Sequence, residues 1–92
     1  MTHNYKSQKI MEKQKLINEI FSVAYRKSGG TGLDKYYRIS PKPITMDNGE
    51  VVNVEWVQPS IWTNDVLINY RTDCLKTTEL SCAELEQILK VI

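Results

Sequence analysis

Ile44-Thr45-Met46-Asp47-Asn48-Gly49-Glu50-Val51-Val52-Asn53-Val54-Glu55-Trp56 is the stretch that decides how this chain folds. Asn48 and Gly49 accept the positive φ angles that tight hairpins demand, so Asp47-Asn48-Gly49 is a turn between two strands. Two registers follow from it. A two-residue Asn48-Gly49 loop pairs Thr45 with Val52, whereas a three-residue loop with Gly49 at a bulge pairs Ile44 with Val52. The bulged register is the expectation. Beyond the turn, strict alternation puts Val52, Val54 and Trp56 on one face and Asn53 and Glu55 on the other, which assigns Trp56 to the core.

Upstream, Lys35-Tyr36-Tyr37-Arg38-Ile39-Ser40 has the aromatic and β-branched content of a strand. Pro41 and Pro43 remove two backbone donors from its continuation, so this strand is expected at an edge. Unbroken alternation would set Ile44 on the face of Tyr36 and Arg38, and the proline pair is expected to return it to the face of Tyr37 and Ile39. Downstream, Pro59 ends the second strand, and a connection containing Ile61 and Trp62 leads to a third. There Val66, Ile68 and Tyr70 alternate with Leu67, Asn69 and Arg71.

Helices bracket these strands. From residue 9 to residue 27, Ile10, Leu16, Ile17, Ile20, Phe21, Val23 and Ala24 recur at helical spacing, with Ser7 as candidate cap and Gly29-Gly30 as the stop. Near the other end, Ser81 and Glu84 form a capping box, and Leu80 and Leu85 stand where a hydrophobic staple belongs. A helix is predicted to begin at Cys82, with Leu85, Ile88, Leu89 and Ile92 as its apolar stripe. The predicted architecture is a single small α+β domain of order α-β-β-β-α over residues 9–92, after a flexible polar tail of residues 1–8. Its three-stranded, mainly antiparallel sheet packs against the N-terminal amphipathic helix and the short C-terminal helix. In element order alone this resembles a double-stranded-RNA-binding domain. Those domains carry a basic motif where this chain reads Ser81-Cys82-Ala83-Glu84-Leu85-Glu86, so the family is not assigned.

A hydrophobic fraction of 41% against 25% charged residues is enough apolar content to fold. No apolar run approaches the roughly 20 residues of a membrane span, and none follows Met1 as a secretion signal requires, so a cytoplasmic protein with no membrane partner is expected. Cys74 and Cys82 are then expected as reduced thiols. At 92 residues the buried core is modest, which leaves room for a dimer.

The chemistry-bearing residues are sparse. His3, the only histidine, stands in the polar tail, and the Cys/His set lacks the close spacing of zinc ligands. Gly29-Gly30-Thr31-Gly32 follows a helix instead of opening one and lacks the order of a phosphate-binding loop. Asp34, Asp47, Asp65 and Asp73 fall where turns are expected. No catalytic, metal or cofactor residue is assigned, and an enzyme would need carboxylate or thiol chemistry without histidine. The expectation is a non-catalytic protein-interaction or regulatory module, with protein as partner, either a second copy or another chain. Tyr36, Arg38, Ile61, Trp62 and Arg71 are its candidate contacts. The alternative is a nucleic-acid-binding accessory protein. Residues 1–30 hold six basic and two acidic groups, and Lys9, Lys13, Arg26 and Lys27 would meet phosphate while Tyr36, Arg38 and Arg71 meet bases.

Overall fold

A computed structural model describes residues 5–29, 35–60, 63, 65–69 and 74–92, with the backbone alone for residues 5–11. The hairpin has the bulged register: Ile44 pairs with Val52 and Thr45 with Val51. Gly49 takes φ +89°, its amide donates to the Met46 carbonyl at 2.9 Å, and the Met46 amide donates to the Glu50 carbonyl at 2.7 Å. Asn48 Oδ1 accepts from the Glu50 amide at 2.9 Å and stiffens the same turn.

The hairpin strands are β1 (Tyr37–Thr45) and β2 (Val51–Ser60). Two shorter strands, β3 (Asp65–Ile68) and β4 (Leu75–Lys76), complete an antiparallel sheet of order β1-β2-β3-β4. The sheet therefore has four strands where three were expected, and the additional one is two residues long. β3 stops at Ile68, short of the alternation read through Arg71, because Asn69 leaves the extended region at φ +53°. Tyr70 and Arg71 lie outside the described residues.

Helix α1 (Tyr5–Lys27) contains Ser7, which therefore is not its cap. The helix ends as its sequence requires. The Ser28 amide still donates to the Ala24 carbonyl at 2.9 Å, and Gly29 then turns to φ +99°. Helix α2 (Cys82–Val91) starts from Ser81 with both bonds of the capping box, and Leu80 and Leu85 are buried together as the staple. A 3₁₀ turn, Thr77–Glu79, links β4 to this cap.

One core joins these elements. Ile17, Ile20 and Ala24 of α1 meet Ile44, Val54, Val57, Val66 and Ile68 of the sheet and Leu85, Ile88 and Ile92 beside them. Each fully buried Ile or Leu contributes about 1.5–3 kcal/mol by leaving water. α1 packs on β2, β3 and α2, and α2 packs on β1. Both helices thus cover the same face and leave the opposite face of the sheet outside the core. No helix among the described residues is long and apolar enough to cross a membrane.

Candidate functional site

The outer sheet face is set by an irregularity that both central strands share. Arg38 pairs with Trp56 and Lys42 with Val54, so Ile39, Ser40 and Pro41 stand opposite Glu55 alone. On β2 the two fully buried valines, Val54 and Val57, are three residues apart. Regular alternation cannot produce that spacing, so Glu55 and Trp56 both lie between core-facing neighbours. On β1 the same offset lets Ile44 share the core face with Tyr37 and Ile39, as the proline pair demands.

Asn69 fills the bulge. Its Oδ1 accepts from two successive amides, Glu55 at 2.9 Å and Trp56 at 3.3 Å. Its Nδ2 donates to the Asn53 carbonyl, and its own amide donates to the Trp56 carbonyl at 3.1 Å. Two adjacent amides facing one acceptor is the geometry of a bulge, because in a flat strand successive amides point to opposite sides. One expectation is corrected here: Trp56 belongs to the outer face, not the core, and Asn69 is buried under the bulge that puts it there.

The outer face that results has a definite composition. Arg38 and Trp56 are direct cross-strand neighbours. Tyr36, just before β1, sets its ring edge-on to Trp56 with centroids 5.7 Å apart and stays 48% exposed. A second row runs Gln58, Leu67, Lys76 across β2, β3 and β4. Arg38, Glu55 and Lys76 are exposed and Leu67 is half-buried, so the surface combines two aromatic rings, one aliphatic side chain, two cations and a carboxylate. Ile61, Trp62 and Arg71, the other candidate contacts, lie outside the described residues.

Three cations of α1 reach backbone carbonyls. Lys13 Nζ donates to the Thr78 carbonyl at 3.0 Å. Lys27 Nζ donates to the Ile92 carbonyl at 2.6 Å and stands 5.2 Å from the Tyr37 ring centre. Both are clamps between α1 and the C-terminal part of the chain. Arg26 Nε reaches the Ser22 carbonyl of its own helix at 3.5 Å, and the Lys9 side chain is among those not described. Lys13, Arg26 and Lys27 stand on α1, which packs on the core face of the sheet, opposite Tyr36 and Arg38.

Two carboxylates are held by backbone and hydroxyl donors. Asp65, only 6% exposed, accepts from the Thr77 hydroxyl, from the Thr78 amide at 3.2 Å and hydroxyl at 3.0 Å, and from the Val66 amide at 2.9 Å. Burial pushes its pKa up, but the hydrogen bonds from Thr77, Thr78 and Val66 together outweigh that and hold it below the ordinary carboxylate value. It is a buried joint between β3 and the 3₁₀ turn, not the simple turn residue expected from its setting. Glu84 behaves alike: burial raises its pKa, and the Ser81 and Asp47 amides, the Ser81 hydroxyl and the charge of Lys13 bring it below the ordinary value. Its bonds to the Ser81 amide at 2.8 Å and the Asp47 amide at 2.9 Å tie the start of α2 to the hairpin turn.

Cys74 and Cys82 form no disulfide. Partial loss of water around its sulfur raises the Cys74 thiol above its ordinary value, against the pull of Lys76 and with the help of Glu79 and Asp65, which disfavours a nucleophilic thiolate. Among the described residues no three His, Cys, Asp or Glu side chains gather as metal ligands do. Sequence reading missed Trp56 as a surface residue and Asn69 as its anchor. The one available signal was an asparagine, the side chain most tolerant of left-handed backbone after glycine, following the short β-branched run of β3. Comparison with protein-family models, curated proteins and solved structures finds no match to this chain.

Proposed function

We propose that this chain is a cytoplasmic, non-catalytic interaction module that docks an acidic, partly apolar segment of another protein on its outer sheet face. The observation that carries the reading is the Tyr36-Trp56 ring pair beside Arg38, held on the face that neither helix covers. Aromatic rings next to arginine supply much of the binding energy in protein interfaces. Lys76, at the end of the neighbouring row, extends the positive character toward β4.

The test begins with a photo-crosslinking side chain at position 36, and with the same group at Glu12 on α1 as control. Proteins captured only from position 36 are then purified and titrated against the double variant Tyr36→Ala/Arg38→Glu. The expected result is at least a tenfold loss of affinity with an unchanged circular-dichroism spectrum, about 1.4 kcal/mol or more. Equal binding by the variant refutes the reading.

A second reading, single-stranded nucleic acid on the same face, is favoured by one observation: Arg38 directly across the strand pair from Trp56, a cation beside rings on which bases stack. It predicts oligonucleotide binding that weakens steeply with salt and falls with Arg38→Glu. No binding at low ionic strength eliminates it. The clamping roles of Lys13 and Lys27 weigh against a contribution from α1.

A further inference from the structure

α1 and Leu89 of α2 border an open groove of about 400 Å³, away from the outer sheet face, whose apolar residues Val23 and Leu89 also pack against the core. Along it run Lys15, Glu19, Ser22, Val23 and Arg26, a stripe at helical spacing. Glu19 and Arg26 are exposed and seven residues apart, so they stand on one side of the helix about 10 Å from each other along its axis. Between them are the small Ser22 and the half-buried Val23, with Leu89 beside them.

We infer that this stripe is the interface of a homodimer in which two α1 helices pair antiparallel about a two-fold axis between Ser22 and Val23. The charges select the arrangement. With the axis there, Glu19 of each copy meets Arg26 of the other, giving two identical ion pairs, as a self-complementary two-fold interface requires. Parallel pairing would stack Arg26 on Arg26 and Glu19 on Glu19. The other antiparallel register that pairs opposite charges, Lys15 with Glu19, moves the axis toward the start of the helix and leaves Val23 and Leu89 off centre. The chosen register instead brings the Val23 and Leu89 of both copies together at the axis, the small Ser22 lets the helices approach, and Lys15 falls beyond the end of the opposing helix. The surface is independent of the sheet face proposed for another protein, so a dimer would carry two such faces.

Sedimentation velocity over a concentration series tests the proposal. The wild-type chain is expected to pass from monomer to dimer as concentration rises, and to dissociate more readily as salt screens the pairs. Glu19→Arg places cations opposite Arg26, and Arg26→Glu places carboxylates opposite Glu19, so each variant alone is expected to dimerise at least tenfold more weakly. An equimolar mixture of the two restores both ion pairs as a heterodimer and is expected to recover wild-type association. A wild-type chain monomeric up to about 1 mM, a concentration at which even a weak interface of about 4 kcal/mol would populate dimer, overturns the inference. So does a dimer indifferent to both reversals, or a mixture that fails to associate. A monomer that instead binds a polyanion through Lys15 and Arg26 overturns it as well.

Discussion

Asn69 holds the Trp56 residue from both sides, its amide donating to the Trp56 carbonyl at 3.1 Å while its side-chain oxygen accepts from the Trp56 amide at 3.3 Å. Replacing it with alanine leaves the Glu55 and Trp56 amides without that acceptor and keeps an unfavourable positive φ. Asn69→Ala is expected to cost about 2–4 kcal/mol in urea unfolding. Asn69→Gly relieves the backbone and should recover about 1 kcal/mol of that loss. If both variants unfold like wild type, the bulge does not depend on Asn69.

Asp65 and Glu84 make stability pH-dependent in a definite direction. Their folded pKa values lie below the ordinary 3.8 and 4.5, so the unfolded chain binds more protons in the acid range. The stabilisation is complete above the ordinary values and is lost as pH falls below about 4.5 through the folded values. Urea midpoints measured from pH 7 to pH 2 should show that fall. Asp65→Asn should lower stability at pH 7 by about 2 kcal/mol and flatten the acid limb. An acid limb unchanged in Asp65→Asn would contradict the assignment.

Gly49 isolates a backbone effect. It sits at φ +89°, yet a methyl group there would meet nothing within 4 Å. Gly49→Ala should therefore cost about 1 kcal/mol from conformation alone, and Gly49→Asn less. Thermal denaturation of the three proteins measures the order. An alanine variant as stable as wild type would contradict the left-handed turn.

Gln87 guards an edge. Its side-chain oxygen accepts from the Thr45 amide at 2.7 Å and its nitrogen donates to the Thr45 carbonyl at 2.7 Å, the two bonds a neighbouring strand would make. Pro41 and Pro43 carry no amide hydrogen to offer along the rest of β1. Gln87→Ala should cost about 1 kcal/mol and speed hydrogen exchange at the Thr45 amide by about tenfold. Unchanged exchange at Thr45 would show that another group protects it.

Much of this fold was legible because its signals are local. The Asp47-Asn48-Gly49 turn, the Ser81-Glu84 capping box and the face reset at Pro41-Lys42-Pro43 each lie within a few neighbouring residues, and each has the expected geometry. Trp56 was misread because its face depends on Asn69, thirteen residues away, and alternation alone cannot anticipate a bulge. Asp65 looks like a turn aspartate beside Thr63 and Asn64, and its partners Thr77 and Thr78 are supplied by a later segment. β4 is too short to show any period. On the outer face, strand parity alone places Tyr36 and Arg38, whereas Trp56 is placed there only by the bulge.

The two lysine clamps of α1 also set an order of events. Lys13 reaches Thr78 and Lys27 reaches Ile92, each across 65 residues of chain. Contacts that distant close late, after hairpin and capping contacts that need little chain to be gathered. During synthesis α1 emerges before Thr78 and Ile92, the groups that seat it. Until Ile92 has left the ribosome, the apolar side of α1 has no completed surface to settle on and stays accessible to a chaperone.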